Sequence, residues 1–209
     1  LDPRDAGFAR ALDQTIIRRW LTLETIAASQ VDRPWSRLDE DVASALLVGS
    51  AQLLLMDQVP AHAAINETVN RVRQRTHSGA AGLVNAVLRK VAKLPVGELA
   101  ADDPAARDFH LRRDLVPLSD GRAIILGREI FAKDPVIRLV QQTSHGEDLV
   151  LHWIAAHGLE RTRSLCHHDL VLPPLLRSNA KNYRASEIKT HCGQKQLGRC
   201  FRCFSDCFF

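Results

Sequence analysis

Apolar residues recur every three or four positions through the first ninety residues, and that spacing leaves few folds open. Phe8, Leu12, Ile16, Trp20, Leu23 and Ala27 form one stripe, the period of a helix with a single buried side. Pro34, in the run DRPWSRLDED, interrupts it, and Asp39, Glu40 and Asp41 supply the acids that suit a helix N-terminus. The next stripe holds Val42, Ala45, Leu46, Gly49, Leu53 and Met56, an almost continuous apolar face that belongs at the centre of a bundle. Pro60 pre-sets the first turn of a third helix, along which Ala61, Ala64, Ile65, Thr68 and Val72 face inward. Gly79 and Gly82 loosen the chain before a last stripe of Leu83, Val84, Val87, Leu88 and Val91. Short connections between such stripes favour antiparallel packing. The expected fold class is all-α.

The pattern weakens after residue 94. LPVGELAADDPAARD is rich in Pro, Ala and Asp and reads as a linker, so residues 95–142 are expected to connect rather than to pack. Within them, SDGRAIILGREIF suggests a short extended pair turning at Asp120 and Gly121. Helical spacing returns with Leu149, Val150, Trp153, Ile154 and Leu165, marking a short helical segment over residues 143–180. Gly158 and the Pro173-Pro174 pair look like its breaks. In residues 181–209 the texture changes abruptly, and the terminal FRCFSDCFF shows no period. No internal repeat is visible.

Composition narrows the function classes. With 209 residues, 45% hydrophobic and 25% charged, the chain is globular, with room for one domain or one plus a piece of another. No apolar run approaches the length of a membrane span, and no secretory leader is visible. The chain begins at Leu1 and its only methionine is Met56, which reads as a non-AUG start or a missing beginning. The net charge of +4 is concentrated late, where Arg184, Lys189, Lys195, Arg199 and Arg202 face only Glu187 and Asp206. The rest is close to neutral, so overall basicity does not argue for a nucleic-acid partner; local clustering does. Cysteine is equally uneven: Cys166 stands alone, while Cys192, Cys200, Cys203 and Cys207 crowd the end. An odd number of cysteines without a leader suits a reducing, cytoplasmic compartment.

The strongest cluster lies between residues 66 and 93. Arg71, Arg73, Arg75, Arg89, Lys90 and Lys93 are opposed there by Glu67 alone, with His77 nearby. Arg71 and Arg75 are one turn apart, as are Arg89 and Lys93, so each pair shares a helix face. Two such faces side by side would line a phosphate-binding strip, and neutralised phosphates release counterions. Arg18 and Arg19 flank the first stripe and join the candidates. The plainer alternative is a solvated outer face. Asn66, Glu67 and Asn85 sit among apolar neighbours, and asparagine is a poor helix-interior residue. They are expected to make buried polar contacts between helices, with a ligand contact as the alternative.

Catalytic candidates are thin, and none is assigned. Cys166 lies beside His167 and His168, but adjacent residues on a helix point in different directions, so an idle, buried thiol is expected. His145, His152 and His157 lack the spacing that puts two ligands on one helix face. No glycine-rich phosphate loop occurs. The terminal cysteines include one close pair, Cys200 and Cys203, where a metal site would require a second. A shifted reading frame explains them better, and no metal is assigned.

Three runs together carry a resemblance: DAGFARALDQTIIRRWLTLETI, LLVGSAQLLLMDQVPAHAAINETVNRV and GLVNAVLRKV. They resemble the NusB-like RNA-binding domain of bacterial rRNA cytosine-5-methyltransferases of the RsmB (Sun/Fmu) type. Val59-Pro60-x-His62-Ala63-Ala64-x-Asn66-Glu67 and the block from Gly82 to Arg89 are the most specific pieces. The likeness spans about residues 2–94, and the domain it implies is expected over residues 1–94. A second stretch, including Ser144-His145, Trp153, Leu165-Cys166, Pro173-Pro174 and Arg177-x-Asn179, is similar to the segment leading into the family's catalytic half. Gly146 stands where the family often has proline.

The resemblance implies a NusB-like antiparallel helical bundle joined to a Rossmann-like domain that binds S-adenosylmethionine. There a cysteine thiolate attacks C6 of cytosine, C5 is methylated, and a second cysteine helps release the enzyme. The family's Asp-x-Cys-x-Ala-Pro-Gly-Gly-Lys loop does not occur in these residues, nor does any Pro-Cys pair, so neither cysteine is placed. The family's preceding helix is also expected to be missing, and a frame change near Lys181 would account for the tail. The chain is thus expected to position rRNA without its catalytic domain and, on its own, to methylate nothing. A stand-alone NusB-type antitermination factor, binding RNA and a ribosomal protein, is the alternative; residues 144–179 argue against it.

Overall fold

The computed structural model describes residues 2–76 and 78–170. His77, Pro173-Pro174, Arg177, Asn179 and the terminal cysteines, named above, lie outside the described residues. Four long helices come first: α1 (Pro3–Ala28), α2 (Glu40–Leu55), α3 (Ala61–Arg75) and α4 (Ser78–Val91). Their starts are written locally. Asp2 caps α1 by accepting from the Arg4 N–H, with Pro3 at the first position, and Asp39 caps α2 through the Asp41 N–H. Pro60 precedes α3, as its fixed φ suggested. The stripes meet in one core containing Ile16, Leu23, Ile26, Leu46, Leu47, Val84 and Leu88. Phe8, counted with the first stripe, is instead 43% exposed. No described helix is long and apolar enough to cross a membrane.

The segment expected to be a linker is folded. It carries β1 (Pro95–Leu99), the short α5 (Pro104–Arg107), β2 (Leu115–Pro117) and β3 (Ala123–Leu126), and α6 (Pro135–Thr143) follows. The strands form an antiparallel sheet in the order β1-β3-β2, so the mostly helical molecule is not purely α. The extended pair is there, with Gly121 at φ +88° in its turn, a value glycine adopts without strain. Alternation explains the placement. Val116, Ile124 and Leu126 enter the first core, whereas Leu115 and Ile125 enter a second with Phe109, Leu139, Val140, Val150 and Cys166. The sheet is a wall between two cores. The second core is closed by α6, α7 (Glu147–His157) and α8 (Leu159–Leu170).

Candidate nucleic-acid interface

The apolar face of α3 is built from Ala64, Ile65, Thr68, Val69 and Val72. One step around the helix, Asn66, Asn70 and Arg73 form a polar stripe. On α4, Gly82, Asn85 and Arg89 form the matching stripe, and the two line one open groove. Arg73 Nη1 donates to Asn70 Oδ1 at 3.1 Å, and Arg89 Nε donates to Asn85 Oδ1 at 3.2 Å. Both guanidiniums are aimed by neutral amides, and among the described residues neither has a carboxylate partner. Gly82 leaves the floor bare: a Cβ there would meet nothing within 4 Å. A polyanion could approach the backbone at that point while two oriented guanidiniums reached its phosphates.

The expected candidates therefore divide. Arg73 and Arg89 meet in the groove, whereas Arg71, half-buried, lines a different one with Phe8, Leu12, Val59, Glu67 and Thr68. Arg75 and Lys93 are exposed, and Lys90 donates to the Gln30 carbonyl at 3.3 Å. Arg18 is exposed and donates to the Asp169 carbonyl at 2.7 Å. Arg19 departs most from the expectation of an outward cation: it is only 8% exposed. Burial, with Arg18 beside it, lowers its pKa to about 10.

Nor do the polar residues fill the internal role expected of them. Asn66 and Glu67 are exposed, and Asn85 is half-buried with its side-chain oxygen on Arg89. Asn66 and Glu67 are not enclosed, because the turn of α3 carries them off the buried face. Asn70, which the sequence did not single out, aims Arg73. Its only signal was the spacing of three residues.

The remaining candidates carry little chemistry. Cys166 is buried in the second core, and desolvation pushes its thiol up to about 11, which leaves scant thiolate to react. His167 packs on Phe109 with ring centroids 5.5 Å apart, and its burial lowers its pKa. His145 hydrogen-bonds Thr143 and Asp169, while His152 and His157 are exposed. Among the described residues, no cluster of His, Cys, Asp and Glu could hold a metal ion.

Comparison with known proteins places this helical unit. Residues 1–93 match the NusB family. The N-terminal part of the chain is a NusB-family domain. Beyond it the likeness continues. The chain is 33% identical over 165 residues to ribosomal RNA small subunit methyltransferase B of Pseudomonas putida, covering 76% of this chain and 37% of that protein. It is 30% identical over 173 residues to a probable ribosomal RNA small subunit methyltransferase B of Bacillus subtilis, covering 83% and 32% respectively. Against the Synechocystis protein of the same description the identity is 33% over 188 residues, covering 87% and 35%. The chain spans about a third of the length of these curated relatives. No solved structure matches it. All three alignments outrun the NusB domain, so the sheet and second core share in the similarity.

Proposed function

We propose that this chain holds rRNA for an S-adenosylmethionine-dependent cytosine-C5 methyltransferase, with the groove between α3 and α4 as its phosphate-binding surface. The observation that carries the reading is the pair Arg73 and Arg89, aimed by neutral asparagines across a floor left bare at Gly82. Phosphate contacts of this kind fix position and register, while base chemistry belongs elsewhere. Likeness beyond residue 93 to rRNA methyltransferases favours this reading over a stand-alone antitermination factor with a ribosomal-protein partner.

The described residues do not fit the cofactor. Their sheet has three short antiparallel strands, not the parallel strand, glycine loop and helix that cradle a nucleotide. The family's cofactor loop is likewise absent from these residues. The role we assign to these residues is binding.

Titration of the full chain with a small-subunit rRNA hairpin tests it. Arg73→Gln with Arg89→Gln should weaken binding about tenfold and reduce the magnitude of the logarithmic salt slope by about two. Arg107→Gln, an exposed charge on α5, should change neither. Affinity and slope unaltered in the double variant would overturn the groove assignment.

A further inference from the structure

A second cleft opens between the middle of α1 and the junction of α6 with α7. It encloses about 460 Å³, and its lining includes Arg18, Arg19, Ser119, Ser144, His145 and Asp169. Helix α1 is bent at this point: Arg19 has φ −119° and ψ 18°, outside helical values. The bend is fastened from the other side. The Leu21 N–H donates to Ser144 Oγ at 2.7 Å, and Thr22 Oγ1 donates to the Gln141 carbonyl at 2.7 Å. Ser144 itself holds φ 61°, an uncommon backbone region for a residue with a side chain.

At the bend Arg19 lines the cleft, with two of its three guanidinium nitrogens unpartnered among the described residues. Its Nε and Nη2 are buried and have no hydrogen-bond partner, and no described carboxylate pairs with it. The same fold treats another buried arginine quite differently. Arg138, 9% exposed, gives Nε to the His110 carbonyl at 2.7 Å, and Nη1 to the carbonyls of Ala132 and Lys133 at 3.0 and 2.8 Å. Desolvating a charged group without acceptors is unfavourable, and Arg19 stays charged at neutral pH even with its pKa lowered to about 10. Among the described residues the cleft has one carboxylate, Asp169, and it is turned to His145 Nε2 at 3.2 Å. His145 Nδ1 meets Thr143 Oγ1 at 2.9 Å. Ser144 Oγ accepts from Leu21, so its own hydrogen remains to donate.

We propose that this cleft is an oxyanion site that takes one phosphate group, with Arg19 as the principal donor and Arg18 and the Ser144 hydroxyl beside it. The phosphate is a backbone phosphodiester of bound RNA, and that part rests on the RNA-holding reading above. The site differs from the α3–α4 groove in every residue, so the two can be tested apart.

Melting of the full chain in chloride and in inorganic phosphate, at matched ionic strength, reads the site directly. A twentyfold excess of phosphate over its dissociation constant should raise Tm by about 4 °C. Wild-type chain with no such gain would overturn the site, and this arm needs no variant. Arg19→Met should lose the gain while melting no lower than wild type in chloride, because a side chain of similar length replaces an unpaired charge. Melting well below wild type in chloride, with the phosphate gain intact, would make Arg19 structural only. Against the rRNA hairpin, Arg19→Met should bind about fivefold more weakly, with the magnitude of the salt slope smaller by about one. A lost phosphate gain with unchanged RNA affinity would overturn the RNA assignment and leave a site for free phosphate. A phosphate gain in wild-type chain that binds no RNA would overturn the RNA-holding reading and leave the oxyanion site standing.

Discussion

Gln142 is fully buried, and the two hydrogens of its Nε2 are shared among the carbonyls of Phe109, Arg112 and Leu115, at 3.2, 2.9 and 2.9 Å. One side chain thus ties α6 to the turn that feeds β2. Gln142→Ala should destabilise the chain by about 3 kcal/mol in urea unfolding, because buried carbonyls lose their donor and a cavity opens. A loss under half that size would mean water replaces the amide. No sequence signal marks this glutamine. The groove arginines were legible as charge but not as a pair. Spacing joined Arg71 to Arg75 and Arg89 to Lys93, whereas the fold brings Arg73 to Arg89. Helical period shows which residues share a face. It does not show which faces meet.

Helix α4 packs onto α2 at Gly49, where an added Cβ would lie 2.5 Å from Leu88 Cδ1. Gly49→Ala should therefore cost about 2 kcal/mol by overpacking. Gly82→Ala, with nothing near its Cβ, should leave stability level or slightly raised. The methyl that Gly82→Ala adds should still weaken RNA binding by standing on the groove floor, and equal loss of stability in both variants would contradict this packing. Helices α1, α3 and α4 were readable because each buries one side, and α2, buried all round from Ser44 to Ala51, because its apolar run is almost continuous. Of the sheet, the extended pair turning at Asp120 and Gly121 was readable but β1 was not, and AIIL, apolar on both faces of a wall between two cores, shows no alternation to say that a third strand pairs with it. The acids that made residues 95–108 look like a linker are partly caps: Asp103 accepts from the Ala105 N–H ahead of α5.

Among the described residues, two groups of arginines are held in opposite ways. Those of residues 112–138 brace the fold: Arg112 pairs with Asp114, Arg113 with Glu129, and Arg122 with Asp57, Glu98 and Asp120. Those of the α3–α4 groove are held by amides and keep their charge uncompensated. A net charge of +4 is too small to reveal this division, which depends on the placement of acids and not on their number. RNA is expected to lie along that groove. Backbone amide shifts of the full chain, recorded as a small-subunit rRNA hairpin is added, test it most directly. The largest shifts should fall on residues 66–73 of α3 and 82–89 of α4. Large shifts confined to the exposed Leu149, Leu151 and Leu165 of α7 and α8, with α3 and α4 unmoved, would contradict it.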